Sequence, residues 1–504
     1  MPVTTAGEVE RKFEVSGVEV LDAAQVRDVL GHPVPEEPEE RLQEAVYLDT
    51  DDRALHRDRV TFRRRTGGPD DGWHVKLPGV GDRREELRAP LTPTGSAPPP
   101  GIAALVRAFA RGRPLAPVAE LLVRRRAWEA TDERGRVVAE LVVDQVTART
   151  LDRGGDAGDL QAWQEIEVEL GPAAPAGFLD VVEERLAALG IRRSASASKV
   201  GRVLGERTLP PMPPEDDAAG VVLRYLAEQA RVLRGWDPLV RLDREDAVHQ
   251  MRVAARRLRS ALQGFGRVVD RERTRALTDE LRWLAGELAP ARDTEVMLAR
   301  LQELLAGVPA TLVVGPVAAE VAQAFRRRAA AARERVLGAL DSERYVALLE
   351  ELDALLADPP LTTRAARSAR RELPREVDRA HRKVVSAMAV ADRYPRGRER
   401  DEALHETRKK AKRLRYATEL AQPVLGKPAR RLKRRMKAVQ ELLGVHQDAA
   451  VTCATLLELA GEGDRREVAH DFTLGVLHAS EVARAHEAED RLPGVWAKVP
   501  PLRR

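Results

Sequence analysis

The chain has 504 residues, of which 33% are charged, 43% hydrophobic and only 4% aromatic, with a formal net charge of +4. This length predicts more than one domain, and the hydrophobic fraction excludes wholesale disorder. The single cysteine, Cys453, excludes an intrachain disulfide framework and a cysteine-based zinc site. No apolar run approaches the ~20 residues of a membrane helix and no signal-peptide pattern is visible, so a cytoplasmic protein with no membrane partner is expected.

The first two hundred residues read mainly as short strands. In Glu8-Val9-Glu10-Arg11-Lys12-Phe13 a period of two places Glu8, Glu10 and Lys12 on one side, opposite Val9 and Phe13. Helical patterns are predicted at 23–30, 102–111 and 178–189, and strands at 61–65, 73–77, 84–91, 121–129, 137–146 and 163–170. The stretch 209–217, Leu-Pro-Pro-Met-Pro-Pro-Glu-Asp-Asp, cannot extend a helix or a sheet and reads as a linker. Domains are therefore expected at 1–208 and 218–495, the second helical and broken near Asp358-Pro359-Pro360 into halves of about 218–358 and 361–495.

That helical half carries an internal repeat. His249, Arg252, Arg256, Arg257, Leu258 and Arg259 are matched at identical spacing by His405, Arg408, Lys412, Arg413, Leu414 and Arg415. Arg292-Asp293 answers Gln447-Asp448 at nearly the same offset. Two copies of one helical unit are expected, packed as bundles.

The strands keep their charges on one side. Arg63 with Arg65, His74 with Lys76, Arg84 with Glu86 and Arg88, and Arg124 with Arg126 each share a face; so do Glu140 with Asp144, and Glu165 with Glu167 and Glu169. An open sheet would leave these faces wet. A sheet closed to remove its edges would bring them inside. A cationic wall then requires a dense anion, because one unit pair at ~4 Å is worth about 4 kcal/mol at an effective dielectric of 20. The carboxylates require a divalent cation that bridges them to phosphate oxygens, Mg²⁺ or Mn²⁺. Salt-bridge pairing across the wall accounts for some of the charges, though not for their one-sidedness.

These motifs, with Ser198-Lys199, resemble in order those of the CYTH, or triphosphate tunnel metalloenzyme, family over roughly residues 6–205. The resemblance implies an α+β chain whose first part is an eight-stranded antiparallel tunnel with flanking helices, acting on a triphosphate compound. It places Glu8, Glu10, Glu165, Glu167 and Glu169 on metal. Lys12, Arg63, Arg65, Lys76, Arg84, Arg88, Arg124, Arg126 and Lys199 fall on the phosphates. No side-chain nucleophile is implied, and the family's substrates include inorganic triphosphate, thiamine triphosphate and ATP.

On a helix, His249, Arg252, Arg256 and Arg259 fall on one face, as do His405, Arg408, Lys412 and Arg415. A charge run is usually a solvated face; duplicated registry with a histidine at each head favours an anion groove. No His-x-x-x-His or cysteine pair marks the histidines as metal ligands. This half is similar to the CHAD, or conserved histidine α-helical, domain over about residues 217–490. The likeness implies two four-helix bundles around a basic channel that binds inorganic polyphosphate, with association to polyphosphate granules possible for such a protein. Lys412 keeps charge but loses the guanidinium fork, and Gln447 departs from Arg292 of the first copy. Nucleic acid is disfavoured because the stripes hold almost no aromatic platforms. The expected function is a metal-dependent triphosphatase with a polyphosphate-binding helical domain; a non-enzymatic polyphosphate binder and ATP cyclisation are the alternatives.

Overall fold

The computed structural model describes residues 3–15, 21–78, 83–92, 97–152, 157–196, 198–205, 211–462 and 468–500. The chain divides into two compact units, Met1–Leu209 and Pro210–Arg504.

The first unit holds β1 (Thr4–Val15), α1 (Ala23–Leu30), β2 (Glu39–Asp49), α2 (Ala54–Arg57), β3 (Thr61–Thr66), β4 (Gly72–Leu77) and β5 (Arg83–Ala89). After these come α3 (Pro100–Ala104), α4 (Arg107–Ala110), β6 (Ala116–Thr131), β7 (Val137–Thr150), β8 (Gln161–Leu170), α5 (Phe178–Ala188), β9 (Arg192–Arg193) and α6 (Lys199–Leu204). The antiparallel order is β5-β4-β3-β2-β6-β7-β8-β1-β9, with a further β5–β1 pairing. Eight strands thus close on themselves, and the two-residue β9 is an appendage on the end of β1 beside Phe13. Closure removes the sheet edges and separates an inside from an outside.

The outer faces of β1, β6, β7 and β8 are covered by α1 and α5, which bury Phe13, Trp128, Leu141, Ile166 and Val168 against Val26, Leu30, Phe178 and Val182. The start of α1 is fixed by a capping box, with the Asp22 carboxylate accepting from Gln25 N and the Gln25 side chain accepting from Asp22 N. Inside, one end of the barrel is apolar: Val200, Val203 and Leu204 of α6 pack on Ala45, Tyr47, Ala119, Leu121 and Val123. Two sequence expectations differ from the structure. Strand β2 was not anticipated, because its Glu-Glu-Arg-Leu-Gln-Glu start has no apolar alternation. The helix expected over 102–111 is broken into α3 and α4.

The second unit is helical. Its first half has α7 (Ala218–Arg241), α8 (Ala247–Gly264), α9 (Arg275–Glu287), α10 (Ala289–Gly307), α11 (Val317–Asp341) and α12 (Glu343–Ala357), with a 3₁₀ turn at Ala310–Leu312. Its second half has α13 (Ala369–Ala391), α14 (Arg398–Leu420), α15 (Gln422–Leu425), α16 (Lys427–Glu462) and α17 (Val468–Trp496). Helix α8 packs on α7 and α14 on α13, and α8 and α14 meet each other, which places the two repeated segments face to face. The halves share a core, since α10 and α11 bury Leu301, Val321 and Phe325 against Leu456 of α16 and Leu477 of α17. No described helix is long and apolar enough to cross a membrane.

Candidate functional site: a charged barrel interior

Residues directly opposite on neighbouring strands point to the same side, so the register defines the interior. Lys12 lies across from Glu167 and Glu10 from Glu169. Asp144 lies across from Glu165 and Glu140 from Glu169. Lys76 lies across from Glu86, and His74 from Arg88. The result is a cavity of about 320 Å³ with two unlike walls. Arg41, Arg63, Arg65, Lys76 and Arg88 of β2–β5 supply a cationic wall; Glu10, Glu140, Glu167 and Glu169 of β1, β7 and β8 supply an acidic one.

Of the site residues anticipated from sequence, Glu10, Lys12, Arg63, Arg65, Lys76, Arg88, Glu167, Glu169 and Lys199 line this cavity. Glu165 is buried beside it, 2.8 Å from Lys199 Nζ. The strand backbones place Glu8 opposite Arg84, but the side chains of both lie outside the described residues. The interior placement expected for Arg124 and Arg126 is corrected. Arg126 stacks 4.9 Å from the centroid of Trp128, a member of the outer core, and Arg124 is exposed. The inward residue is Arg125, whose Nε and Nη2 donate to the two Asp144 oxygens at 2.9 and 2.7 Å, with Nη2 also 3.2 Å from Glu167 Oε2. Val123 and Ala127 do face away from Arg124 and Arg126, but they face the interior. Trp128, on the parity of Arg124 and Arg126, was the legible signal for the outer face.

The acidic wall is tightly partnered. Lys199 sits at the start of α6, where the Ser198 side chain caps Gly201 N. Its Nζ lies 2.8 Å from Asp144 and 2.5 Å from Glu167, as well as 2.8 Å from Glu165. Lys12 contacts the same Glu167 oxygen and lies 3.5 Å from Glu10. Burial pushes the Asp144 carboxyl up, but Lys199 and Arg125 beside it hold it well below the ordinary carboxylate range. Glu165 is likewise held down, burial being outweighed by Lys199 and Lys12. Burial opposes the Lys199 charge, and Asp144 and Glu165 keep it protonated above its ordinary range.

The cationic wall is organised by Glu86, fully buried, which accepts from Arg88 Nε at 2.5 Å and from Arg63 Nη2 at 3.4 Å. His74 bridges Glu86 at 3.1 Å and the Asp70 carbonyl at 2.8 Å, and Arg63 also donates to the Tyr47 hydroxyl at 3.1 Å. These contacts hold the long side chains in place before any ligand arrives, which is electrostatic preorganisation. Arg41, Arg125 and Tyr47 were not anticipated as site residues.

In the helical unit the two stripes meet. Arg408 and Lys412 lie within electrostatic reach of Arg256, and Lys412 of Arg252 as well. The same ion pair recurs in both copies, Arg252 with Asp293 at 2.8 Å and Arg408 with Asp448 at 3.9 Å. Gly444 of α16 lies against Arg408, where a Cβ would come within 3.2 Å of Nη2. His405 Nδ1 donates to Gln447 Oε1 at 2.6 Å. In the first copy Arg292 stands where Gln447 does, and burial together with the Arg292 charge lowers the His249 pKa. Arg259 is crowded by Arg282, Arg413 and Arg256, whereas Arg415 stacks on Tyr416 at 5.0 Å. A further cluster, Asp401, His446 and Glu489, joins α14, α16 and α17; Glu489 also takes Arg400 at 3.1 Å, so the cluster acts as an ion-pair tie between helices.

Residues 6–204 match the CYTH domain and residues 224–457 match the CHAD domain. The chain belongs to the CYTH–CHAD proteins. A protein described as uncharacterized from Mycobacterium tuberculosis strain CDC 1551 is 37% identical to this CYTH–CHAD chain over 514 residues, covering 98% of this chain and 96% of the relative. Among solved structures, PptA from Streptomyces chartreusis is 23% identical, covers 56% of this chain and 99% of its own, and has a TM-score of 0.48. The CHAD domain from the plant Ricinus communis is 28% identical, covers 58% of this chain and 99% of its own, and has a TM-score of 0.45.

The CYTH family is one of triphosphate tunnels that use divalent metal. Asp144, Glu165 and Glu167 are buried and each offers an oxygen within 4.8 Å of the others, and since Lys199 Nζ lies within 2.8 Å of all three, the set fits such an ion in place of that ammonium. Hard carboxylate oxygens are the ligands that Mg²⁺ and Mn²⁺ take. Asp144 was read from sequence only as part of the acidic face; the register of β7 against β8 makes it a member of this set.

Proposed function

We propose that the barrel hydrolyses a triphosphate with Mg²⁺ or Mn²⁺, and that the helical unit binds inorganic polyphosphate along its paired stripes. The observation that carries this reading is the facing of a cation wall and a carboxylate wall across one cavity. Arg41, Arg63, Arg65, Lys76 and Arg88 are held by Glu39, Glu86 and Asp70, and a triphosphate carries enough charged oxygens to bridge them from the cavity side. The ion would be held by Asp144, Glu165 and Glu167, with Glu10 and Glu169 adjoining, and when bound supplies charge neutralisation and polarisation at the phosphoryl oxygens. Lys12 and Arg125 stand between the walls, placed to stabilise charge on the phosphoryl group and the leaving pyrophosphate. Water adds to the terminal phosphorus, the bridging P–O bond breaks, and phosphate and pyrophosphate leave. Incubation with tripolyphosphate, long-chain polyphosphate and ATP, with either metal, tests this. Phosphate release from tripolyphosphate is expected; a cyclic nucleotide and pyrophosphate from ATP would instead identify a cyclase.

One observation favours a second reading, a non-enzymatic polyphosphate holder. Lys12, Arg125 and Lys199 already neutralise the acidic wall. This reading predicts anion binding with no phosphate release under any metal.

For the helical unit, replacing both Arg252 and Arg408 by alanine is expected to weaken polyphosphate binding more than about 10-fold, given about 1.5–3 kcal/mol for a charged hydrogen bond. Both side chains are partly exposed, so the melting temperature is expected to stay close to that of the wild type; unchanged affinity would remove the groove from the proposal.

Binding there should also be linked to pH. Burial, then Arg408, Arg256 and Arg252, lower the Lys412 pKa to about 7. A bound polyanion favours the charged form, so binding takes up a proton above about pH 7 and affinity rises as pH falls toward that value. Below it Lys412 is charged in both states and this dependence ends. Calorimetry at pH 8.5 in buffers of different ionisation enthalpy reads the uptake. It should vanish in Lys412→Arg, whose charge does not titrate.

A further inference from the structure

The duplication makes two equivalent places in the helical unit, and only one of them is filled. Tyr416 lies eleven residues after His405, and Ser260 eleven residues after His249. In the second copy Tyr416 is buried, with Arg257 over its ring at 6.0 Å. Beside it Glu419 takes Arg257 at 2.9 Å, Lys433 at 3.2 Å and the Tyr225 hydroxyl at 3.3 Å. This corner is packed, and Glu419 is shared by two of its cations.

At the matching place of the first copy, Ser260 replaces the tyrosine, Gln263 replaces the glutamate and Gly264 replaces Leu420. The volume given up becomes a cavity of about 320 Å³ between the end of α8 and helices α13 and α14. A Cβ at Gly264 would meet nothing within 4 Å. Arg267, Arg271, Arg379, Lys383, Lys410 and Arg413 surround it. Glu376, the single carboxylate in the lining, is taken by Arg379. Among the described residues Arg267, Arg271, Lys383 and Arg413 make no ion pair, and Arg413 is one of the cations that crowd Arg259. Lys410 lies on the side of α14 roughly opposite His405, Arg408 and Lys412, while Arg413 lies at the flank, within electrostatic reach of Arg259, so the cavity opens on the far side of α14 and borders the first stripe.

From this asymmetry we infer that the first CHAD repeat carries a separate binding pocket for a compact oligophosphate anion, such as tripolyphosphate or the phosphate end of a nucleoside triphosphate. Like charges held together without partners repel, and a multiply charged anion removes that repulsion. Ser260 and Gln263 supply neutral hydrogen-bonding groups beside the charges. The pocket is independent of the barrel reaction and of the stripe groove.

Titration calorimetry of the full chain in EDTA with tripolyphosphate, ATP and long-chain polyphosphate tests this. Lys383 is exposed and Lys410, half-buried, makes no ion pair among the described residues, so Lys383→Gln/Lys410→Gln keeps the fold and leaves Arg413, beside the stripe, in place. Ser260→Tyr refills the space in the manner of the second copy. Both variants are expected to lose one class of small-anion sites, or to weaken it at least 10-fold. Phosphate release by the barrel and long-chain affinity should stay within about twofold. Retention of the site by ATP alone, or by tripolyphosphate alone, identifies the source of the phosphate, and either supports the pocket. Unchanged stoichiometry in the double variant overturns it. So does a parallel loss of long-chain affinity, which would make the cavity an arm of the stripe groove.

Discussion

Glu167→Gln is expected to reduce metal-dependent phosphate release from tripolyphosphate at least about 100-fold, since even residues behind a metal ligand are worth about 10–100-fold. Glu167 is where the two charge systems meet. One oxygen faces Lys12 and Lys199, the other lies 3.2 Å from Arg125, and the residue belongs to the three-carboxylate set with Asp144 and Glu165. Glutamine preserves its volume and removes its charge. The three cations then lose a shared counter-charge, so tripolyphosphate binding without metal should persist or tighten while turnover collapses. This split separates the proposal from a simple loss of fold. Turnover within threefold of the wild type would show that the carboxylate set is not where metal acts.

The second large effect is on stability. Lys199→Met is expected to destabilise the metal-free protein by about 3–5 kcal/mol, the usual cost of removing one partner from a buried ion cluster. For a domain of this size that is a fall of roughly 6–20 °C in melting temperature. Asp144, Glu165 and Glu167 would be left sharing a buried space with one cation fewer. Mn²⁺ or Mg²⁺ should restore much of the loss, because it replaces the missing charge; the metal-induced rise should be larger in the variant than in the wild type. The sign of the pH dependence follows from the shifts. Lys199 is raised, so its contribution is present below the ordinary lysine value of 10.5 and lost as pH rises through its higher folded value. Glu165 is depressed, so its contribution is present above the ordinary 4.5 and lost as pH falls through its lower folded value. The gap between wild type and variant should be widest between those limits and should close in acid. An unchanged melting temperature, or a loss that metal does not offset, would contradict the role given to Lys199.

The charged interior was legible in part because two strands alternate cleanly. In β1, Glu10 and Lys12 oppose Phe13, and in β8, Glu165, Glu167 and Glu169 oppose Ile166 and Val168. One face of each is charged and the other is core, so either parity error would bury charge against α1 and α5. In β6 that test fails. The barrel interior is polar where Arg125 meets Asp144 and apolar where Leu121 and Val123 meet α6, so both faces carry apolar side chains. Strand β2 escaped for a related reason: Arg41 and Gln43 face the cavity while Leu42, at 53% exposure, faces water.

The helical half was read by its duplication. Equal spacing from His249 and His405 marked paired stripes, and the repeated Arg–Asp contacts follow from that spacing. The differences between the copies, Tyr416 against Ser260 above all, carry meaning only once the neighbours of each are known.

Periodicity and the order of charged motifs along the chain determine that a strand-rich unit with one-sided charge precedes a duplicated helical unit, because both are local properties of the residues. Closure of the ring is what the resemblance of the ordered motifs implied; the inward turn of Arg125 and the convergence of Lys199 on Asp144, Glu165 and Glu167 were decided by the tertiary structure alone. These depend on which distant strands pair and in what register, and a shift of one residue in register exchanges the inside of a barrel for its outside.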